Sequence, residues 1–229
     1  MCSKLRDKTT DQLLDEIENE LDVLESRLPR RLSGMEVSRL SKLPYKALLY
    51  REGLMWRACE LGRSALASFR GEKLVTAVLL TRAVVETSAA LWFLRTRIKA
   101  AVELRSIADI DDCLMKLLMG TKANLDIQPE AFNVLKFIDV LKKEIPDIRH
   151  HYEMLSEFAH PNWAGTALAY SKHDKAARAT DFGPYIRSAA STKRAGAANL
   201  SGSLLLFEAA YGQLAELMPR FVKLCEDHT

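Results

Sequence analysis

Two short runs of this sequence carry side chains that can do chemistry. Arg82 and Glu86 stand four residues apart, and Tyr152, Ser156 and His160 are spaced four and four. On a helix each set lies along one face, because residues i and i+4 are neighbours one turn apart. A guanidinium oriented by a carboxylate can receive developing negative charge, and an imidazole can donate or accept a proton. The helix dipole at a C-terminal His160 favours an imidazolium, and the two hydroxyls behind it could position an anion. The reacting set expected from these types is therefore His160, Arg82, Glu86, Tyr152 and Ser156. Asn162, Arg149 and Arg57 are the candidate substrate-binding residues, with Glu157, Trp56 and Glu60 near the same region. The plainer reading of the same residues is structural: an interior ion pair that fixes helix register, a C-terminal cap and core hydrogen bonds.

The elements that must position them are helices. Leu13, Leu14, Ile17, Leu21, Leu24 and Leu28 recur every three or four residues on a charged background and predict an amphipathic first helix. After a break at Pro29–Gly34, residues 44–69 predict a second helix entered through Pro44 and ended near Gly71. A third runs over about 72–100 and a fourth over about 108–122. Pro129 opens a fifth containing Phe132, Val134, Leu135, Ile138 and Leu141. A sixth covers about 147–160 and stops at His160-Pro161, because proline disfavours helical geometry in the residue before it. Residues 163–184 lack a sustained period and predict a loop with one short helix at most, followed by a final helix over about 190–226 with a kink at Pro219. The expected architecture is all-α: one helical bundle of six to eight helices, with residues 1–43 as N-terminal helix and linker and 44–229 as the core. The heptad-like leucines of the first helix either pack on that core or mate with a second chain, which makes them the candidate dimerisation seam.

Composition agrees and excludes a good deal. The chain has 229 residues, 48% hydrophobic and 28% charged, with Gly 10 and Pro 7 too few for the many turns of a sandwich or barrel. The net charge of +3 does not by itself imply nucleic acid or a membrane surface. Arg51, Arg57, Arg63, Arg70 and Lys73 could still form a basic stripe on the second helix, although a solvated face is the simpler reading. Cys2, Cys59, Cys113 and Cys225 form no CxxC pair and are expected as cytosolic thiols, so the chain is placed in the cytoplasm. Residues 74–94 are long enough to span a bilayer, at about 32 Å, but Arg82 and Glu86 fall at the centre, where each charge costs roughly 2.5–3.5 kcal/mol. A buried helix and no membrane contact are expected.

No phosphate-binding loop, GxGxxG, HExxH or GxSxG occurs, so no cofactor is expected, and a ligand pocket among the helices would have to lack a phosphate loop. His150 and His151 are adjacent, without carboxylates at i+4, and no metal site is expected.

The run TRAVVETSAALWFL (81–94), with HYEMLSEFAHPN (151–162) further along, resembles an uncharacterised bacterial and phage-associated helical family with an Arg-x-x-x-Glu and Tyr-x-x-x-Ser-x-x-x-His-Pro signature. That family is similar to the HEPN superfamily of helical bundles, which includes metal-independent endoribonucleases of toxin–antitoxin and abortive-infection systems. The resemblance implies a four- to five-helix core, homodimerisation and RNA cleavage by an Arg and a His. His160 would then be base or acid toward a ribose 2′-hydroxyl, with Arg82 stabilising the phosphorane and Tyr152 and Ser156 holding the phosphate. The HEPN arginine that precedes the histidine is absent, since Glu153, Met154 and Leu155 occupy those positions, and Arg82 is the expected substitute. The alternative is a non-catalytic binding or oligomerisation module, a defence partner or antitoxin-like dimer, in which the same polar residues form an internal network.

Overall fold

The helix that runs through the 81–94 motif is apolar on almost every side, so the chain must wrap it. In the computed structural model, which describes residues 8–123, 128–184 and 189–228, it is α4 (Leu74–Leu104), and its buried residues run around the full circumference from Leu91 to Leu94. Helices α3 (Leu43–Arg70) and α8 (Ala189–Asp227) pack along it, and α6 (Val134–Lys142) and α7 (Ile148–Ala159) cover further sides. Helix α5 (Ile110–Met119) packs on α3, while α1 (Thr10–Ser26) lies across α3 and α8. A four-residue helix, α2 (Gly34–Val37), follows the predicted break at Pro29–Gly34. This is an all-α bundle, as composition and periodicity predict.

Helix α4 is the one described helix long and apolar enough to cross a membrane, and 61% of its most apolar window is buried inside the bundle. Burial also claims three of the four cysteines: it pushes the Cys59 thiol up to about 11 and that of Cys225 up to about 12, and it raises Cys113. Cys2 lies outside the described residues.

Two close approaches need glycine. A Cβ on Gly196 of α8 would lie 2.6 Å from the ring of buried Phe69 on α3, and one on Gly62 would lie 2.7 Å from Leu21 of α1. Real side chains do not tolerate such spacing in a close-packed core, so these positions set how near the helices come.

The N-terminal helix is part of the same core. Thr9 and Gln12 form a reciprocal capping box at its start, and Leu13, Leu14, Ile17, Leu21 and Leu24 all join the single buried cluster. The leucines that offered a seam for a second chain are therefore used within the fold. The acidic face of α1 also takes up two members of the basic stripe of α3, Arg63 and Arg70. Arg63 donates to Glu25 at 3.0 and 2.7 Å and to Asp22 at 2.7 Å; Arg70 donates to Asp15 at 3.0 Å and Glu18 at 2.7 Å. Arg63 and Arg70 are thus partners of α1 rather than an open surface for nucleic acid.

Some boundaries differ from the sequence reading. The fifth predicted helix begins at Val134 rather than Pro129, because the chain there runs alongside Thr121: Ala131 N–H donates to Thr121 O at 3.1 Å, and Thr121 N–H to Pro129 O at 3.0 Å. Asn133 then caps α6 by accepting from Leu135 N–H at 3.0 Å. The 163–184 segment is more ordered than a loop. It forms a π-helical turn (Ala164–Leu168) and an antiparallel hairpin of β1 (Ser171–Asp174) and β2 (Ala179–Phe182). Helix α8 continues through Pro219 to Asp227.

At the α1–α8 contact, Ser201 Oγ donates to Glu20 Oε1 at 3.4 Å, while Glu20 Oε2 is buried without a partner. Burial is the main cause that pushes the Glu20 carboxyl from 4.5 up to about 7; the Ser201 hydrogen bond opposes it, repulsion from Glu16 and Glu208 adds to it, and Lys8 opposes it weakly. A raised carboxyl pKa means the folded state holds the proton more tightly than the unfolded chain. Its stabilising contribution is full below about 4.5 and is lost as pH rises through about 7. Melting temperature should therefore rise as pH is lowered from about 7.5 to about 5, and Glu20→Gln should flatten that slope and raise the melting temperature at neutral pH. Scanning calorimetry across this window checks both, and an unchanged slope in the variant contradicts the assignment.

Candidate functional site

Tyr152, on the inner face of α7, is 4% exposed and meets α4 at its two central charges. Arg82 Nη2 donates to Tyr152 Oη at 2.8 Å, and Tyr152 Oη donates to Glu86 Oε1 at 2.9 Å. Arg82 Nη2 and Glu86 Oε1 are also 3.4 Å apart, and the guanidinium lies 5.1 Å from the centre of the Tyr152 ring. The tyrosine is both acceptor and donor between the opposite charges. Burial is the leading reason its phenol titrates above the ordinary range; the bonds to Glu86 and Arg82 push in opposite directions. The neutral phenol is the form that can donate to Glu86.

The pair is shallower than an all-apolar helix implies. The Arg82 and Glu86 side chains are 28% and 25% exposed, because α7 covers only one side of this part of α4. Arg82 Nε alone is shut from solvent and without a hydrogen bond.

The rest of the expected site does not gather here. Ser156 turns back on its own helix, its Oγ donating to Tyr152 O at 2.8 Å. His160 is the exposed C-cap of α7, with extended geometry (φ −95°, ψ 147°) imposed before Pro161. No hydrogen bond joins its ring to Arg82, Glu86, Tyr152 or Ser156. The geometry of the stripe explains this: two steps of four residues advance about 12 Å along a helix and turn about 80° around its axis. Tyr152 faces the core, and His160 does not.

Each proposed substrate-binding residue has another task. Asn162 accepts from Ala164 N–H at 3.0 Å and Gly165 N–H at 3.2 Å and donates to Glu157 at 2.7 Å, so it caps the π-helical turn. Gly165 is required there, since a Cβ would stand 2.1 Å from His160 O. Arg149 ties α7 to α6 on the surface, donating to Glu153 and Asp139 at 2.8 Å each. Arg57 reaches α4 beside Glu86 but donates to Thr87 Oγ1 at 3.2 Å. Trp56 is exposed, and its indole N–H donates to Pro29 O at 3.0 Å. The rings of His150 and His151 are 6.2 Å apart, and the described residues contain no group of three or more His, Cys, Asp or Glu placed to hold a metal.

A second Arg–Glu–Tyr set escapes the sequence reading. Glu52 on α3 is only 8% exposed; it is paired with Arg51 beside it and accepts from Tyr211 Oη of α8 at 2.8 Å. The Arg51 guanidinium lies 4.4 Å from the Tyr211 ring centre. Burial, with the bond to Glu52, pushes Tyr211 up to about 12. The signal available was a glutamate at a core-facing position of α3. Its recurrence shows the chain using one device twice, a tyrosine bridging a charged pair where two helices meet.

No family model, curated protein or solved structure matches the chain.

If the Arg82–Tyr152–Glu86 contacts hold α7 on α4, their removal should be non-additive. We expect Tyr152→Phe to cost about 0.5–1.5 kcal/mol and Arg82→Ala about 1–2 kcal/mol, less than for a fully buried pair because water reaches both charges. The double variant should show a coupling of at least about 0.5 kcal/mol in denaturant unfolding. Strict additivity would contradict the network.

Proposed function

We propose that the chain is a non-catalytic helical binding module and that its buried polar residues serve the fold. The observation that carries this reading is the bonded set of Tyr152, Arg82 and Glu86, in which the phenol accepts from one charge and donates to the other, while His160 stands in solvent at the far end of α7. Acid–base cleavage of a phosphodiester needs imidazole and guanidinium on one phosphate, each within hydrogen-bond reach. The projecting segment beyond His160 supports a binding role, since Trp163 is 65% and Phe182 80% exposed. Aromatic side chains are enriched at surfaces that meet another chain. In this reading the protein works in the cytoplasm beside a protein partner, as in a phage-defence or toxin–antitoxin pair.

The second reading is a HEPN-like, metal-independent endoribonuclease, favoured by the partial exposure of Arg82 and Glu86, which leaves the guanidinium within reach of an anion. His160 would then act from a second copy across a homodimer, with Arg82 stabilising the phosphorane and Tyr152 orienting it. Incubation with RNA in EDTA separates the two. The binding-module reading predicts RNA loss no greater than in buffer and no difference between wild type and His160→Ala. Cleavage by wild type that disappears in His160→Ala, at unchanged circular dichroism, would establish the nuclease reading instead.

A further inference from the structure

Past Leu94 the apolar stretch of α4 ends and cations begin. Arg97 follows Phe93 by one turn, and α5 and the approach to α6 close over both. Phe93, Arg97, Asp109, Asp112, Cys113, Lys116, Phe132 and Lys136 line a concave pocket of about 210 Å³. Its floor is aromatic: the rings of Phe93 and Phe132 lie 5.3 Å apart. Lys136 Nζ stands 4.5 Å from the centre of Phe132 and 5.8 Å from that of Phe93, and Lys116 Nζ stands 6.0 Å from Phe132.

Three cations from three helices thus face one cavity, and none of them makes an ion pair among the described residues. This sets them apart from Arg51, Arg63, Arg70, Arg82 and Arg149, each of which is held by a carboxylate. The Nε of Arg97 is buried without an acceptor, and the Cys113 thiol lines the same pocket. The fields of Arg97, Lys136 and Lys116 all bear on that thiol, which confirms their convergence, although burial outweighs them. Asp109 and Asp112 at the rim leave the pocket net positive, three charges against two, and stand at the N-terminus of α5, where the helix dipole favours them.

We propose that this pocket binds a small phosphoryl anion. Ammonium and guanidinium groups approaching from separate helices suit the tetrahedral oxygens of a phosphate better than a planar carboxylate, and Arg97 is the one able to hold two oxygens at once. The volume is below the roughly 300–1,000 Å³ of ordinary small-molecule sites, so the pocket takes the phosphate group and leaves any larger body of the ligand outside. The site lies eleven residues beyond Glu86 on α4, about 16 Å along the helix, and is separate from the Tyr152 cluster.

Isothermal titration of the full chain with inorganic phosphate and with glycerol 3-phosphate, at constant ionic strength, tests this. Wild type should bind at least one of them saturably at a 1:1 ratio, and Lys116→Gln/Lys136→Gln should weaken binding by at least about tenfold. Lys142→Gln/Lys143→Gln, which removes the same charge from the end of α6, should bind as wild type does. Tighter binding of the ester would identify the phosphate as part of a larger ligand, and equal or tighter binding of the free ion would identify inorganic phosphate. Absence of saturation up to about 20 mM of either probe, or equal weakening in both double variants, would overturn the site.

Discussion

A helix with no polar face can exist in water only if other helices cover it, and every polar group it carries must find its partner on one of them. Helix α4 is under this constraint along most of its length, and its few polar side chains mark where each neighbour sits. Ser88 lies 2.8 Å from Ser203 O at the crossing with α8. Thr87 receives Arg57 from α3, and Arg82 with Glu86 receives Tyr152 from α7. At Arg97 a guanidinium without an ion pair among the described residues faces a pocket shared with Lys116 and Lys136.

The same logic accounts for the two Arg–Glu–Tyr sets. A helix pair joined only by apolar contacts can slide or rotate at modest cost, whereas a tyrosine that must donate to one carboxylate and lie against one guanidinium is satisfied in one register. Tyr152 fixes α7 on α4, and Tyr211 fixes α8 on α3. The acidic face of α1 does comparable work against Arg63 and Arg70, on the outside of the bundle.

Much of the fold was legible because its signals are local. Leucine spacing marks α1, Pro44 and Gly71 bracket α3, and Pro161 ends α7 within one residue of the expected position. The hairpin was not legible: its strands are exposed and carry no alternation of apolar and polar residues, and its turn is closed by Asp174 accepting from Ala176 and Ala177. The site was legible in part. Spacing brought Arg82, Glu86 and Tyr152 into consideration, and the fold unites them. The drift of a four-and-four stripe around its helix, which carries His160 away, is also contained in the spacing, whereas the convergence of Arg97, Lys116 and Lys136 from three separate helices is not.

The central claim is that the Tyr152 hydroxyl holds α7 in place on α4. Native-state amide hydrogen exchange of Tyr152→Phe beside wild type tests it most directly, because local opening of one helix is resolved from global unfolding. The account predicts that protection falls across the α7 amides while the buried centre of α4 keeps its own. Unchanged protection in α7, or an equal loss in every helix, would contradict it.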